Sequence, residues 1–276
     1  MSEITGTIFD CKRFAVHDGN GIRSTLFIKG CPLRCPWCQN PEGLSPKPFL
    51  WHRPAACLHC GTCVAVCPNG ALRLDSRVHI DYEKCLTCGT CAEACPGGAL
   101  EICGREISAS AAAKLLLRDQ VFFGSEGGVT LSGGEVLAQW RFAAEVLRLC
   151  KEAGANTAIE SCLLAGREAI DAMIPVTDLF IIDIKILDCE THERICGAPN
   201  TQILKNYEYL IARGCDVLVR TPVIPGYTDS RGNLDAIAAY IERISPGQAY
   251  ELLDFNPLCR SKYDALETDY PVEEKK

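Results

Sequence analysis

The chain has 276 residues and a formal net charge of −7, and 47% of its residues are hydrophobic. This length allows one large domain or one domain with an insertion, and the acidic balance argues against a nucleic-acid partner. No run of about 18 apolar residues predicts a membrane span, and the N-terminus lacks the apolar core of a signal peptide. We therefore expect a cytoplasmic protein without a membrane partner.

Short β-rich runs alternate with helical stretches over most of the chain. The predicted strands cover residues 25–29, 129–132, 157–160, 179–185, 217–223 and 249–253. The predicted helices cover residues 109–119, 138–153, 167–173, 202–213 and 233–244. This alternation favours an α/β fold with a parallel sheet, and six such strands can form a full or partial (β/α)6 barrel. Ligands of these folds lie at the carboxyl ends of the strands.

The chain contains 19 cysteines, which is an extreme count for its length. A disulfide framework is one interpretation, but such frameworks are typical of small secreted chains. In a reducing cytosol, clustered cysteines more often bind metal, and this is the interpretation that we favour.

The first cysteine cluster follows the first predicted strand, in the segment GCPLRCPWCQNPEG. Cys31, Cys35 and Cys38 have the spacing C-x3-C-x2-C. Three thiolates can bind three irons of a [4Fe-4S] cluster and leave the fourth iron without a protein ligand, as a catalytic centre requires. A zinc site is the alternative, but it would need a fourth protein ligand close to this loop.

Residues 57–74 and 85–102 repeat each other with an offset of 28, and eleven of the eighteen positions are identical. Each repeat carries C-x2-C-x2-C-x3-C-P, the bacterial ferredoxin run, in which the fourth cysteine binds the other cluster. One predicted [4Fe-4S] ligand set is Cys57, Cys60, Cys63 and Cys95, and the other is Cys85, Cys88, Cys91 and Cys67. A zinc ribbon would lack the third cysteine of each run.

Pro-rich sequence precedes the repeats, and the polar segment 104–110 follows them. This is typical of an inserted module. We therefore predict three parts: residues 1–48 and 105–276 as the two pieces of one barrel, and residues 49–104 as a ferredoxin-like insert with two clusters.

Five segments together resemble one known family. They are residues 16–42, VHDGNGIRSTLFIKGCPLRCPWCQNPE; 127–135, GGVTLSGGE; 183–188, DIKILD; 219–229, VRTPVIPGYTD; and 251–263, ELLDFNPLCRSKY. The combination is similar to the activating enzymes of glycyl radical enzymes within the radical S-adenosylmethionine (SAM) superfamily. The pyruvate formate-lyase activating enzyme gives this group its name. The resemblance covers nearly the whole chain.

The resemblance implies an oxidoreductase that works anaerobically and contains a SAM-binding [4Fe-4S] cluster. SAM is cleaved reductively to methionine and a 5'-deoxyadenosyl radical, which takes hydrogen from a glycine of a partner glycyl radical enzyme. Flavodoxin or ferredoxin is the implied electron donor. Together with the two clusters predicted for the insert, the expected cofactors are three [4Fe-4S] clusters and SAM.

The resemblance also implies several contacts to SAM. Gly133, Gly134 and Glu135 match the GGE motif, whose backbone meets the SAM amino group in the family, although a Gly-Gly pair alone is more often a simple turn. Trp37 and Gln39 flank the last cluster cysteine and are expected on the adenine side.

The remaining matches lie on later strands and in one N-terminal loop. Asp183 and Lys185 match a D-x-K motif at the end of the fourth strand, where a buried structural ion pair is the alternative. Arg220 suits the SAM carboxylate. Asn256 falls where relatives place a residue near the SAM adenosine. Asp18 matches a residue that faces the partner's glycine loop.

Two other functions remain open at this point. One is a radical SAM enzyme that acts directly on another peptide or on a small molecule. The other is an electron-transfer ferredoxin fused to an inert barrel, which would not cleave SAM. The charged tail, residues 264–276, is expected to be disordered and to leave the last barrel edge uncovered or covered by the partner.

Overall fold

An eight-stranded sheet organises the chain, of which the computed structural model describes residues 3–272. Numbered along the chain, the strands are β1 Thr5–Ala15, β2 Arg23–Ile28, β3 Phe49–His52, β4 Leu72–Leu74, β5 Val78–Ile80, β6 Leu100–Cys103, β7 Arg105–Ser108, β8 Gly128–Gly133, β9 Asn156–Ser161, β10 Leu179–Asp183, β11 Val217–Val223 and β12 Tyr250–Asp254. The large sheet has the order β12-β11-β10-β9-β8-β2-β1-β7.

Six strands of the large sheet, β2 and β8 to β12, pair in parallel, whereas β1 and β7 pair in antiparallel at one end. The two ends of the sheet, β12 and β7, do not pair with each other among the described residues. The predicted parallel sheet with the shape of a partial barrel is therefore confirmed.

The helices are α1 Thr62–Val66, α2 Thr90–Glu93, α3 Ala109–Leu116, α4 Trp140–Glu152, α5 Arg167–Met173, α6 Cys189–Cys196, α7 Thr201–Ala212, α8 Arg231–Ile244 and α9 Arg260–Ala265. Side-chain caps start three of them, because Ser108, Asp188 and Ser230 each accept a hydrogen bond from a backbone N–H of the first turn. Helix α6 was not predicted from the sequence, since only His192 and Cys196 of its eight residues are buried.

The main core lies between the parallel strands and the helices that connect them. All six residues of β2 are buried, as expected for a strand that is covered on both faces. Arg23 is completely buried, and its guanidinium donates to the hydroxyl of Thr130, the carbonyl of Val129 and the side chain of Asn156. Burial lowers the pKa of Arg23 to about 10, and these partners compensate for the lost hydration.

The polar segment 104–110 is not the linker that the sequence suggested. It contains β7, which pairs with Thr5–Ile8 of β1, and it continues directly into α3. Three of the four residues of REIS are polar, which suits a strand at the edge of the sheet.

Residues 49–103 form a smaller unit with its own core. β3 pairs with β6 and β4 pairs with β5, both in antiparallel. Leu50, Leu72, Val78 and Leu100 are buried there among cysteines of the two repeats. Helices α1 and α2 follow Gly61 and Gly89 at equivalent positions of the two repeats, and both glycines have a left-handed backbone.

The expectation of a disordered tail is wrong for residues 264–272. The ring of Tyr270 packs 4.8 Å from that of Tyr263, and Val272 is buried. Residues 273–276 lie outside the described part of the chain. Among residues 3–272, no helix is long and apolar enough to cross a membrane.

Candidate active site

One cavity lies at the carboxyl ends of the parallel strands, where such folds place their ligands. Ten of the residues predicted for the SAM and cluster site line it: Cys31, Cys35, Cys38, Trp37, Gln39, Gly133, Gly134, Asp183, Lys185 and Arg220. These residues come from segments that are far apart in sequence, so the fold brings together what the motifs predicted separately.

The C-x3-C-x2-C loop is held on two sides by the chain. The backbone N–H of Arg34 donates to the carbonyl of Cys196 at the end of α6 (2.7 Å). The hydroxyl of Tyr263 donates to the carbonyl of Cys38 (3.0 Å). The loop is therefore fixed by backbone contacts that leave the thiols facing the cavity.

The donor set of this loop fits an iron–sulfur cluster. Burial raises the pKa of Cys31 to about 11 and that of Cys38 to about 12, so metal binding must displace protons from these thiols. Within residues 3–272, no three His, Cys, Asp or Glu side chains converge on one point as ligands of a single ion. The thiolates of a cubane bind different irons and need no such convergence.

The GGE motif positions the cavity wall through its backbone. Gly133 has a φ of +119°, and a Cβ there would lie 2.5 Å from the backbone N of Ile28. A Cβ on Gly134 would lie 2.5 Å from the carbonyl oxygen of Gly30. Both glycines are therefore required for the close approach of β8 to the segment that leads into the cysteine loop.

Glu135 differs from its two neighbours because its side chain is turned into the protein. The carboxylate accepts hydrogen bonds from the backbone N–H of Leu137 (2.9 Å), the hydroxyl of Ser161 (2.7 Å) and the backbone N–H of Cys162 (2.8 Å). The residue is 1% exposed and does not line the cavity. Its carboxylate ties the end of β8 to the end of β9, which leaves only the backbone for a ligand.

Asp183 and Lys185 both face the cavity, although β10 ends at Asp183. Lys185 Nζ donates to Asp183 Oδ2 at 2.6 Å. Burial lowers the pKa of the Lys185 ammonium, but the carboxylate of Asp183 together with the nearby thiols of Cys35 and Cys162 offsets this, so the net pKa is raised. The ion pair that the sequence left as an alternative is thus present, and it lies in the cavity wall.

We expect Lys185→Ala to weaken SAM binding by about 1.5–3 kcal/mol, the usual loss for a hydrogen bond to a charged group. Calorimetric titration of the anaerobic protein with SAM measures this, and Lys205→Ala, on the exposed side of α7, is the matched control. A variant that unfolded while its folded fraction kept the parent affinity would show that the pair is purely structural.

Arg220 is engaged by three partners in this structure. Its guanidinium pairs with Glu160 (3.1 Å) and Glu251 (2.9 Å) and donates to the carbonyl of His17 (2.9 Å). Glu160 lines the cavity but was not among the predicted site residues. The alternation along β9 points its side chain inward, and this could have identified it.

Glu160 has an unusual environment for a carboxylate. Burial raises its pKa to about 7, and the negative charge of Asp18 adds to this effect, whereas the hydroxyl of Ser132 and the guanidinium of Arg220 oppose it. The Ser132 hydroxyl donates to Glu160 Oε2 at 2.5 Å.

Glu160→Gln should therefore stabilise the protein at alkaline pH. A carboxyl whose pKa is raised by folding contributes stability below its unfolded pKa near 4.5 and loses this contribution as the pH rises through about 7. We expect the free energy of unfolding of the variant to exceed that of the parent chain by about 3 kcal/mol at pH 8 and to match it near pH 4.5. Denaturant unfolding at the two pH values is the measurement. An equal difference in unfolding free energy between variant and parent at both pH values would contradict the raised pKa of Glu160.

Besides Glu135, two predicted residues lie outside the cavity lining. The side chain of Asn256 accepts from the backbone N–H of Leu258 (2.9 Å) and caps a short helical turn, while its carbonyl accepts from Gln39. The side chain of Asp18 accepts from the hydroxyl of Thr25 (2.5 Å). Both side chains are therefore committed to local contacts, which a motif match alone does not reveal.

Two cysteines near the site, Cys162 and Cys196, were not among the predicted site residues. Cys162 is 7% exposed and lines the cavity, and burial raises the pKa of its thiol. Cys196 is completely buried, and its carbonyl holds the cysteine loop. Only the three-dimensional arrangement places them beside the C-x3-C-x2-C segment.

The cysteines of the two repeats line two further cavities in the smaller unit. One is lined by Cys57, Cys60, Cys63 and Cys95, and the other by Cys67, Cys85, Cys88 and Cys91. The fourth sulfur of each run accepts a backbone hydrogen bond at 3.3 Å, Cys67 from Ala71 and Cys95 from Ala99. Each cavity thus combines three cysteines of one repeat with the last cysteine of the other.

Comparison with known proteins identifies the family of the chain. The sequence profile of the radical SAM superfamily matches residues 25–234. The benzylsuccinate synthase activating enzyme of Thauera aromatica is 41% identical over 94% of this chain and 81% of its own length. The (2S)-3-sulfopropanediol sulfolyase activating enzyme of Bilophila wadsworthia is 42% identical over 98% and 91%.

A third relative, the trans-4-hydroxy-L-proline dehydratase activating enzyme of Clostridioides difficile, is 38% identical over 97% of this chain and 90% of its own length. Among solved structures, a domain of a pyruvate-formate lyase-activating enzyme from Bacteroides vulgatus is 27% identical, with a TM-score of 0.44, over 53% of this chain and 96% of that domain. This chain belongs to the radical SAM superfamily and, within it, to the activating enzymes of glycyl radical enzymes.

Proposed function

We propose that the cavity at the strand ends holds SAM against a [4Fe-4S] cluster bound by Cys31, Cys35 and Cys38. When bound, the cluster supplies the electron that splits SAM into methionine and a 5'-deoxyadenosyl radical, which removes hydrogen from a glycine of a partner enzyme. The observation that carries this proposal is that one cavity combines the C-x3-C-x2-C thiols, the GGE backbone and the D-x-K pair.

The other residues of the cavity bind and orient SAM. The backbone of Gly133 and Gly134 meets the amino group, because the glycines leave this part of the wall without side chains. Lys185 and Arg220 carry the positive charge that suits the carboxylate. Trp37 is 4% exposed and packs on Tyr227 with ring centroids 5.5 Å apart, so it offers a fixed apolar wall for the adenine.

Gln39 and Asn256 act on the same side of the cavity. Gln39 Nε2 donates to the carbonyl of Asn256 at 3.0 Å. Since the Asn256 side chain caps a turn, we assign it a positioning role: it fixes the carbonyl that orients Gln39 toward the adenosine.

Residues 49–104 form a ferredoxin-like insert that holds two further [4Fe-4S] clusters and passes electrons toward the barrel. The support is the crossed lining of the two cavities described above. Equivalent contacts of the two exposed cysteines also support the insert. Cys60 Sγ lies 3.3 Å from the hydroxyl of Thr62, and Cys88 Sγ lies 3.4 Å from the hydroxyl of Thr90. Flavodoxin or ferredoxin is the proposed donor, because these exposed cysteines give a protein donor access.

Asp18 lies in the loop through which the partner's glycine reaches the cavity. The loop is held against the cavity because the carbonyl of His17 accepts from Arg220 and the carbonyl of Asp18 accepts from the hydroxyl of Thr130 (2.7 Å). This placement supports a role of Asp18 beside the partner's glycine segment. We assign the reaction to the cytoplasm of an anaerobic cell.

An electron paramagnetic resonance experiment tests the function. The reconstituted protein is incubated anaerobically with SAM, dithionite and, separately, benzylsuccinate synthase, (2S)-3-sulfopropanediol sulfolyase and trans-4-hydroxy-L-proline dehydratase. We expect a glycine-centred doublet with at least one of them and a matching yield of 5'-deoxyadenosine. SAM cleavage without a doublet in every mixture would favour a radical SAM enzyme for another substrate, and no SAM cleavage would reject the proposal.

A further inference from the structure

We propose that the free edge of β12 receives the glycine-bearing segment of the partner enzyme as an added, extended strand. This inference rests on the proposed function and names the surface through which it operates. The occupant is a stretch of extended polypeptide that contains the target glycine, bound through main-chain hydrogen bonds.

The backbone of β12 is available for such pairing. β12 pairs in parallel with β11 on one side, and its other side has no strand partner among the described residues. The N–H of Val219 donates to the carbonyl of Ala249 (3.1 Å), and ladder bonds alternate along a strand. The N–H and C=O groups of Tyr250, Leu252 and Asp254 therefore point toward the free edge.

This edge lacks the features that usually prevent strand addition. Sheet edges are normally protected by Lys, Pro, bulges or a covering segment. β12 reads YELLD, without Lys, Arg or Pro, and it exposes 51% of Leu252 and 38% of Leu253. The other end of the sheet, β7, carries Arg105, and the unpaired second half of β1 carries Lys12 and Arg13 and shows register shifts against β2. Among these open edges of the described large sheet, only β12 lacks a basic residue.

The position of β12 gives the added strand a function. Leu253 lines the cavity that contains the cluster cysteines and Lys185, and Glu251 pairs with Arg220 in the same wall. A segment paired with β12 would thus continue the sheet along the rim of the cavity. Hydrogen transfer requires the target glycine to enter this cavity, and a glycine in an extended strand presents its backbone without a side chain.

Leu252→Pro tests the pairing, because it removes one N–H from the free edge without removing a ladder bond to β11. Leu252→Thr is the matched control, since it keeps the N–H and a good strand former. The measurement is the initial rate of doublet formation against partner concentration, with the enzyme that gives the strongest doublet with the parent chain. SAM cleavage without partner is measured in parallel, and Leu252 does not line the SAM cavity.

We expect Leu252→Pro to lower the doublet rate at low partner concentration by roughly tenfold, through a raised KM for the partner, with SAM cleavage unchanged. Leu252→Thr should stay close to the parent chain. A parent-like KM in Leu252→Pro would overturn the inference. The inference would also be overturned if the parent chain eluted as a dimer in size-exclusion chromatography and the proline variant as a monomer. A second copy of the chain would then cover the free edge of β12. The proposed function itself fails only if the parent chain gives no doublet.

Discussion

Anaerobically reconstituted protein is expected to bind roughly twelve irons per chain, which corresponds to three cubanes. The physical reason is the separation of the thiols into three sets. One set has three thiols, which line the cavity at the strand ends. The other two sets have four thiols each and line separate cavities in residues 49–103. Iron and sulfide analysis with Mössbauer spectroscopy measures both the count and the cluster type.

Matched variants assign the irons to their sites. A triple variant, Cys31→Ala, Cys35→Ala and Cys38→Ala, should retain roughly eight irons, because the insert has its own core and its own ligands. Cys189→Ser, outside all three sets, should retain the full number. About four irons in the parent chain after complete reconstitution would reject the ferredoxin-like interpretation of residues 49–104.

The parallel strands could be predicted because each is an apolar run followed by a helical stretch. Strand 179–185 was predicted two residues too long, since Ile184 and Lys185 continue the apolar and charged alternation after the ladder has ended at Asp183. The C-x3-C-x2-C and C-x2-C-x2-C-x3-C-P motifs could be recognised because cysteine spacing is a local property of the chain. Both the strands and the cysteine motifs can be recognised from a few neighbouring residues of the sequence.

Features that depend on distant partners were not predictable. β1 contains Asp10, Lys12 and Arg13 in its second half, and it is a strand because it pairs with β2 on one side and with β7 on the other. The ion pair of Glu160 with Arg220 could not be predicted, because Arg220 lies 60 residues further along the chain. Residues 264–272 pack on the fold because Tyr270 contacts Tyr263, whose hydroxyl reaches the carbonyls of Pro36 and Cys38, more than 220 residues away.

Variants of the two kinds of cysteine should respond differently to the electron source. Replacing Cys35 by Ala removes a ligand of the cluster that SAM contacts, so SAM cleavage should fall to background with any reductant. Replacing Cys60 or Cys88 by Ala alters only the insert. Dithionite is small enough to reduce the SAM cluster directly, whereas flavodoxin must deliver its electron through the insert. We therefore expect these two variants to keep 5'-deoxyadenosine formation with dithionite and to lose it with flavodoxin.

The crossed ligand sets complicate this test, because a single substitution in the insert can disturb both of its proposed clusters. Each set takes one cysteine from the other repeat, so the loss of one ligand loosens both cavities at once. The barrel should nevertheless survive, because its core is a separate cluster of buried residues from that of the insert. Cys189→Ser controls for the loss of a thiol. If Cys60→Ala and Cys88→Ala lost dithionite-driven cleavage while retaining the SAM cluster, the insert would have to do more than relay electrons.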